Sequence, residues 1–247
     1  MSTSVYNVLF TCALVNSAQI NHERISIIIP VFNESGNIDN LIEYLLPLKE
    51  QCEIFFVDGG SSDDTAKRIE EKGLKVYLAP KKGRANQMNY GAHLSGGDIL
   101  WFLHADSIPP KGALLYIREI LNSGYKIGCF PLRFDSKCPL MFLNAHFSNL
   151  RVKMRNITFG DQGIFIQRNL FESLNGYAVI PLMEDYQLSI DIKKAGLHIG
   201  MAGGKITTSP RRYLAQGKIK TIFKMWRLQR MFRRGDDIEE IAKAYGH

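Results

Sequence analysis

Short apolar runs and helical patterns alternate over residues 25–104. Four continuous apolar runs predict strands, namely ISIII (25–29), EIFFV (53–57), KVYLA (75–79) and DILWFL (98–103). The first strand is expected to stop at Pro30. Helices are predicted between the strands, after Gly36, from near Ser61 to near Gly73, and over 84–94. This alternation predicts an α/β protein with a parallel central sheet whose strands are buried on both faces.

The second helix carries its own boundary signals. Ser61 with Asp64 three residues later predicts a capping box at its start. Gly73 is expected to be the glycine that ends it in a left-handed conformation.

Beyond residue 110 the pattern is less regular. Helices are predicted near 111–122, 139–155 and 184–195, and strands near 127–134 and 163–167. No linker or repeat divides the chain. We therefore expect one catalytic domain over 25–213, with a nucleotide-binding half (25–108) and an acceptor half (109–213). A 1–24 extension precedes it, and a basic helical segment (214–247) follows it.

The N-terminal extension contains an apolar run from Val8 to Val15. The run is too short to span a bilayer and lacks the basic start of a signal peptide. Four cysteines, Cys12, Cys52, Cys129 and Cys138, form no CxxC pair, so reduced thiols and a cytoplasmic location are expected.

The net charge of +7 suits phosphate-bearing partners such as nucleotides, nucleic acids or an anionic membrane. Charge alone does not choose among them. Because no nucleic-acid-binding motif accompanies it, we expect no nucleic-acid partner.

Two carboxylates follow predicted strands, where parallel sheets bind their ligands. Asp58 lies in VDGGSSDDT, and Gly59 and Gly60 would let the backbone approach a nucleobase or ribose. The alternative is a capped helix after a tight turn. Asp106 follows WFLHA, and an unpaired carboxylate there would be costly to bury. It suits Mg²⁺ or Mn²⁺, which combine few carboxylates with phosphate oxygens, or it caps the helix after Pro109.

Three more segments carry polar groups of interest. His104 lies two residues before Asp106 and could face a metal or a ribose, or be a satisfied strand-end histidine. Arg84, in GRANQMNYGA, could bind a diphosphate near a helix N-terminus, or be a surface arginine. Glu184 and Asp185 start a helix whose dipole is expected to keep them ionised, so either could act as a general base. The alternative is the ordinary preference for acidic residues in the first turn of a helix.

The order and spacing of these motifs, from IPVFNE to the ED pair, resemble the family 2 glycosyltransferases of the GT-A fold over roughly residues 25–213. GT-A is a Rossmann-like fold with a mostly parallel sheet flanked by helices, here with a C-terminal helical extension. The resemblance implies an inverting transferase that moves a sugar from a nucleotide-diphosphate sugar to an acceptor hydroxyl, assisted by Mg²⁺ or Mn²⁺.

The resemblance also implies roles for individual residues. Asp185 would be the catalytic base, with Glu184 beside it, and Asp106 the metal ligand. The other implied donor-binding positions are Pro30, Phe32, Glu34, Asp58, Gly60, Arg84, His104, Ala105 and Arg211. Arg211 or its neighbour Arg212 would add positive charge near the leaving group.

Two positions depart from the family pattern. Gly59 stands where the family often has a second aspartate, and His104 stands at the first aspartate of the DxD motif, so a metal-binding role for His104 is open. The HAD form, with FGDQGIFI and TTSPRRY, is similar to a small soluble subgroup associated with radical SAM or selenium-related genes. Because the QxxRW motif and membrane helices of processive synthases are absent from the sequence, a single transfer is expected.

The segment KIKTIFKMWRLQRMFRR (218–234) is basic and amphipathic. Ile219, Ile222, Phe223 and Trp226 share one helical face. Such a helix can lie on an anionic membrane, which would suit a lipid-linked acceptor. The alternative is a helix packed on the domain with a solvated charged face.

Other classes of protein fit less well. A nucleotidyltransferase would carry a glycine-rich loop after the first strand, and a dehydrogenase would carry GxGxxG; this chain has PVFNESG. A non-catalytic nucleotide-sugar-binding module derived from a transferase remains the alternative. It would keep Asp58 but have no need for Asp185.

Overall fold

The computed structural model describes residues 23–246, so most of the predicted 1–24 extension, with Cys12, lies outside the described residues. A seven-stranded sheet has the order β3-β2-β1-β4-β8-β6-β9. Its strands are β1 (Ile25–Val31), β2 (Glu53–Asp58), β3 (Val76–Leu78), β4 (Ile99–Phe102), β6 (Ile127–Cys129), β8 (Phe165–Gln167) and β9 (Gly200–Met201). Helices flank this sheet, which confirms the predicted α/β fold class.

The first four of these strands, β1 to β4, are parallel, as predicted. The prediction that β1 stops at Pro30 is wrong, because the strand continues to Val31 and Pro30 pairs with Val57 of β2. The backbone of Ile28 faces β4, since its carbonyl accepts the amide of Leu103. The backbone of Pro30 also faces β4, because it lies two residues further along the same strand. The pairing of β1 with β4 ends at Ile28, so the missing N–H of Pro30 breaks no hydrogen bond between the strands.

Three helices connect these strands: α1 (Ile38–Leu45, extended by a 3₁₀ turn over Leu46–Leu48), α2 (Thr65–Glu71) and α3 (Arg84–Leu94). Helix α3 packs closely on β1 and β2 through Gly91, whose missing side chain leaves room for Ile28 and Val57. The buried Gln87 Nε2 donates to the carbonyls of Val31 (2.8 Å) and Val57 (2.7 Å). These two bonds fix the start of α3 against the carboxyl ends of both strands.

The predicted capping box at α2 is wrong. The helix begins four residues later than Ser61, and its N-cap residue, Asp64, makes no side-chain capping bond. Asp63 Oδ1 accepts the amide of Thr65 instead, and Ser61 donates its hydroxyl to Asp58 (2.6 Å). Gly73 has a φ of +70° after the helix, as predicted.

In the other half of the chain, β8 is antiparallel to β4 and to β6. The strand predicted over 127–134 is two strands, because Pro131 interrupts it. The second piece, β7 (Leu132–Phe134), belongs to a small sheet of order β5-β10-β7. The remaining elements here are β5 (Ser107–Ile108), α4 (Ala113–Asn122), α5 (Pro139–Arg155), α6 (Arg168–Ser173), α7 (Glu184–Lys194) and β10 (Ile206–Thr208).

Three C-terminal helices complete the described chain: α8 (Arg211–Gln216), α9 (Lys218–Arg234) and α10 (Ile238–Tyr245). Leu228 of α9 and Ile241 of α10 are buried in a small core that includes Tyr186 of α7. The C-terminal helices are therefore packed against the domain at the start of α7. No helix of the described residues is long and apolar enough to cross a membrane, and Cys52, Cys129 and Cys138 are free thiols.

The packing of α3 predicts the effect of Gly91→Ala. The added methyl group would lie 2.5 Å from Ile28 Cγ2 and 3.0 Å from Val57 Cγ2, closer than carbon atoms pack. We expect the free energy of unfolding to fall by about 1–3 kcal/mol in urea denaturation, although alanine favours helix. Gly36→Ala is the control, since a methyl group there has no atom within 4 Å; equal effects of both changes would contradict this packing.

Candidate functional site

Two loops at the carboxyl ends of β1 and β2 are joined by hydrogen bonds. The amide of Asn33 donates to Ser61 Oγ (2.9 Å), and Asn33 Oδ1 accepts the amide of Ser62 (2.9 Å). The amide of Glu34 donates to Thr65 Oγ1 (2.8 Å). Asn33 itself has a φ of 53°, a conformation that asparagine tolerates well. The loops thus form one rigid rim beside the sheet.

The side chains predicted to bind the nucleobase lie on or beside this rim. The carboxylate of Asp58 is buried and accepts the amide of Ser61 at 3.0 and 3.1 Å. Gly60 has a φ of +90°, which only glycine adopts without strain. Phe32 is 53% exposed on the adjacent loop, whereas Pro30 is half-buried within β1. Phe32 is therefore free to contact a planar ligand.

Glu34 and Arg211, both predicted to contact the donor, contact each other. The guanidinium of Arg211 lies 3.2 and 3.1 Å from the two carboxylate oxygens of Glu34, although the residues are 177 positions apart. This pair ties the start of α8 to the loop after β1. Arg211 is thus positioned on the rim.

A cavity of about 740 Å³ lies beside this rim, between the end of β4, the start of α7 and the C-terminal helices. Five predicted site residues line it: Arg84, His104, Asp106, Glu184 and Asp185. Of the two arginines proposed to stabilise a leaving group, Arg212 lines this cavity. The other predicted positions, Pro30, Phe32, Glu34, Asp58, Gly60, Ala105 and Arg211, are not among its described lining residues.

Asp106 lies just past β4, with its carboxylate at the cavity. One of its oxygens accepts only a long hydrogen bond from Ser107 Oγ, at 3.4 Å. Because Mg²⁺ and Mn²⁺ need few carboxylates when phosphate oxygens complete their coordination, this side chain fits a metal bound together with a diphosphate. Among the described residues no group of three or more acidic, histidine or cysteine side chains surrounds a metal position.

His104 fits a metal less well. Its Nε2 atom is buried and has no hydrogen-bond partner among the described residues, and it lies against Gly160, where any side chain would collide with it. Burial, with the positive charges of Arg84 and Arg212, lowers the pKa of His104 well below its ordinary value. The imidazole is therefore neutral, and the covered Nε2 is not open to a ligand in this arrangement.

Glu184 and Asp185 occupy the first turn of α7, and both are buried. The guanidinium of Arg84 lies 3.5 Å from Glu184 Oε1 and so links α3 to α7. Asp185 accepts the amides of Gly160 (2.8 Å) and Tyr186 (2.7 Å). The preceding Met183 has a φ of 69°, a strained conformation for this residue that directs both carboxylates into the cavity.

The prediction that the helix dipole keeps both carboxylates ionised is wrong for Glu184. Burial, together with the neighbouring charge of Asp185, raises the pKa of Glu184 to about 7. Burial also raises the pKa of Asp185, but the amides of Gly160 and Tyr186 oppose that rise. The desolvation of these side chains outweighs the dipole. Asp185 is thus the better candidate for an ionised base near neutral pH.

The structure adds two residues to which the motifs gave no role, Asp161 and Arg151. Asp161 lines the cavity, and within residues 23–246 its buried Oδ1 has no hydrogen-bond partner. Burial raises its pKa to about 6, against the opposing charge of Arg151. Arg151 stacks on the ring of Phe159, 4.1 Å from its centroid. One sequence signal pointed to Asp161: it is an acidic residue within the apolar segment ITFGDQGIF. An acidic side chain buried there without a function would be costly.

Comparison with known proteins decides the family. The model for glycosyl transferase family 2 matches residues 26–172, more than half of the chain. The chain belongs to glycosyl transferase family 2. The matched region holds Asp58, Arg84, Asp106 and Asp161, and it ends before Asp185.

Curated relatives are similar over part of their length. A probable glycosyltransferase, YdaM, of Bacillus subtilis (strain 168) is 28% identical over an alignment 209 residues long, which covers 74% of this chain and 50% of the relative. A poly-beta-1,6-N-acetyl-D-glucosamine synthase of Staphylococcus aureus (strain MSSA476) is 33% identical over 112 residues, 43% of this chain and 27% of the synthase. The chain therefore covers half or less of the length of these two relatives.

Solved structures of glycosyltransferases share the fold of this chain. The mannosyltransferase PcManGT from Pyrobaculum calidifontis, in complex with GDP-Man and Mn²⁺, aligns with a TM-score of 0.61 at 18% identity, covering 90% of this chain and 69% of that one. Glucosyl-3-phosphoglycerate synthase from Mycobacterium tuberculosis, in complex with Mn²⁺ and UDP-glucose, aligns with a TM-score of 0.58 at 20% identity, covering 80% and 73%. These likenesses confirm the predicted GT-A fold.

The raised pKa of Glu184 predicts a pH dependence of stability. Between its ordinary value of 4.5 and about 7, the folded chain keeps a proton on Glu184 that the unfolded chain releases. The free energy of unfolding should therefore fall by roughly 1–3 kcal/mol as pH rises through this window. Denaturation at several pH values should show that Glu184→Gln reduces this slope. The part that remains comes from Asp161 and Asp185, whose pKa values burial also raises. The control is Glu240→Gln, at an exposed position; an unchanged slope in Glu184→Gln would contradict the assignment.

Proposed function

We propose that this chain transfers a sugar from a nucleotide-diphosphate sugar to an acceptor hydroxyl with inversion at the anomeric carbon. The observation that carries the proposal is the cavity shared by Asp106 and Asp185, one at the end of a parallel strand and the other at a helix start. Membership of the family supports sugar transfer. The complexes of similar structures with GDP-Man or UDP-glucose and Mn²⁺ support the donor class and the metal.

On the donor side, Asp58 and Phe32 are placed to hold the base and ribose, and Asp106 to hold Mg²⁺ or Mn²⁺. Such a metal, when bound, neutralises charge on the diphosphate as it leaves. Arg84 and Arg212, which line the same cavity, add two fixed positive charges for that leaving group. His104, being neutral, contributes shape and not charge.

On the acceptor side, Asp185 takes the proton of the attacking hydroxyl. Its two backbone hydrogen bonds fix the orientation of the carboxylate, and one lone pair on each oxygen remains available to the acceptor. Attack from the face opposite the leaving diphosphate inverts the anomeric carbon. We also propose a single transfer rather than a processive reaction, because the sequence lacks the QxxRW motif of the processive synthases.

We further propose a cytoplasmic location with peripheral membrane contact through residues 218–234. Nucleotide sugars and an anionic membrane surface are both available at that location. A lipid-linked acceptor would suit that location. The support is the basic, amphipathic character of α9, whose Phe223 and Trp226 are exposed.

The first test uses donor hydrolysis, which requires no acceptor. Purified protein is incubated with a panel of nucleotide sugars, with and without Mn²⁺ or Mg²⁺, and free nucleoside diphosphate is measured. We expect metal-dependent release from one donor, reduced at least about 100-fold in Asp106→Ala because the diphosphate loses its counter-charge. Asp135→Ala, which removes a carboxylate outside the lining of the cavity, is the control. Failure of every donor to bind would contradict the transferase proposal.

Asp185→Asn separates catalysis from binding. The amide cannot accept the acceptor's proton, so we expect release of nucleoside diphosphate to fall by about 100-fold or more. The donor dissociation constant, measured by calorimetry, should change less than about threefold because Asp185 faces the acceptor. Loss of donor binding would contradict this role, and so would unchanged release. Donor binding by the wild type without any release would instead favour a non-catalytic binding module.

A further inference from the structure

Helices α5 and α9 each carry exposed apolar side chains, here together called the α5–α9 apolar surface. The members that line one cavity are Phe147 (46%), Met154 (74%), Phe223 (62%) and Trp226 (50%), and Ile219 (62%) lies on the same face of α9 as Phe223 and Trp226. Phe223 and Trp226 contact each other edge to face, with ring centroids 5.7 Å apart. Clustered aromatic and aliphatic groups of this size are costly to leave in water, which indicates a binding surface.

The α5–α9 apolar surface opens into the catalytic cavity. Phe147 and Met154 of α5 and Phe223 and Trp226 of α9 line the same cavity as Asp185. The wall of the cavity therefore changes from charged, at the ends of the sheet and α7, to apolar between the two helices. A molecule with a polar end and a long apolar part would match both regions at once.

The charge around this surface has one sign. Helix α9 contains seven basic residues and α5 contains three, and neither helix contains an acidic residue. Arg155, Arg227, Arg230 and Arg233 line the cavity next to the apolar side chains. Such an arrangement attracts anionic groups close to an apolar phase.

We propose that the α5–α9 apolar surface binds an anionic membrane, and that the acceptor is a membrane lipid whose apolar chain lies between α5 and α9. This inference rests on the proposed function. A second copy of this chain is a poor occupant because the two basic surfaces would repel each other. An anionic leaflet supplies both the acyl phase for Phe223 and Trp226 and the negative charge for the arginines.

The chemistry of this acceptor follows from the proposed reaction. The lipid hydroxyl oxygen forms a bond to the anomeric carbon, and the bond from that carbon to the diphosphate breaks. The proton goes to Asp185, and the bonding electron pair leaves with the nucleoside diphosphate. The sugar remains on the lipid, at the membrane surface.

The membrane part is tested by sedimentation of the full chain with vesicles. We expect binding to vesicles of phosphatidylglycerol and phosphatidylcholine, weakened by salt, and little binding to phosphatidylcholine alone. Phe223→Ser/Trp226→Ser should weaken binding by about 10-fold or more. The control Leu115→Ser, which removes a 60% exposed side chain from α4, should bind like the wild type.

Several results of this experiment would overturn the proposal. These are the absence of vesicle binding, equal binding to both kinds of vesicle, and equal binding by the double variant and the wild type. Light scattering of the same samples tests the rival occupant: a wild-type dimer that the double variant dissociates would assign the surface to a second copy. Circular dichroism melting checks that each variant is folded.

The acceptor part is tested with membranes of cells that express the chain, mixed with a sugar-labelled donor. Label in the organic extract supports a lipid acceptor, and label confined to water-soluble products overturns it. Donor hydrolysis by the wild type without membranes is measured in parallel. Its absence would count against the proposed function, whereas the vesicle binding would still decide the role of the α5–α9 apolar surface.

Discussion

Four carboxylates share one cavity, and the rest of the site must compensate the repulsion among them. Asp106, Asp161, Glu184 and Asp185 all line the cavity. Burying several like charges is costly unless cations or protons compensate them. Three arginines, Arg84, Arg151 and Arg212, lie among them. Burial, together with the neighbouring charge of Asp185, raises the pKa of Asp161 to about 6 and of Glu184 to about 7. A site of this kind gains stability when a metal ion or another cation binds.

Backbone geometry brings these groups together from distant parts of the chain. Gly91 and Gln87 seat α3 on the sheet, which places Arg84 at the end of the strands. From there Arg84 reaches Glu184, so one ion pair joins α3 to α7. The amide of Gly160 binds Asp185, and its lack of a side chain leaves room for the imidazole of His104. Contacts between distant parts of the chain thus hold the groups of this cavity in place.

Much of the fold could be predicted from the sequence because local patterns determine it. The continuous apolar runs became β1 to β4, and the pattern over 84–94 became α3 at the same residues. The errors arose where tertiary contacts override local signals. Pro30 stays in its strand because its missing N–H faces an unpaired edge, and Ser61 binds Asp58 instead of capping α2. The division of 127–134 between two sheets depends on β10, more than seventy residues away.

The positions of some residues in the cavity could also be predicted. Asp106 and Asp185 were singled out because they follow a strand and begin a helix. The burial of their side chains could not be predicted, because it depends on tertiary packing and has no local signature. Asp161 and Arg151 face the cavity only because α5 and the turn after it fold over the end of the sheet. The exposure of Phe223 and Trp226 likewise follows from how α9 packs, since its buried side includes Ile222 and Leu228.

A metal and a nucleoside diphosphate that bind together at Asp106 should each strengthen the binding of the other. Electron paramagnetic resonance of Mn²⁺, titrated with protein in the presence and absence of UDP or GDP, measures this effect. Since one carboxylate holds Mn²⁺ weakly, we expect little bound metal with protein alone, and about 10-fold or more tighter binding with the correct nucleoside diphosphate than either partner gives alone. An Mn²⁺ affinity that is the same with and without every nucleoside diphosphate would overturn the assignment of the metal to Asp106.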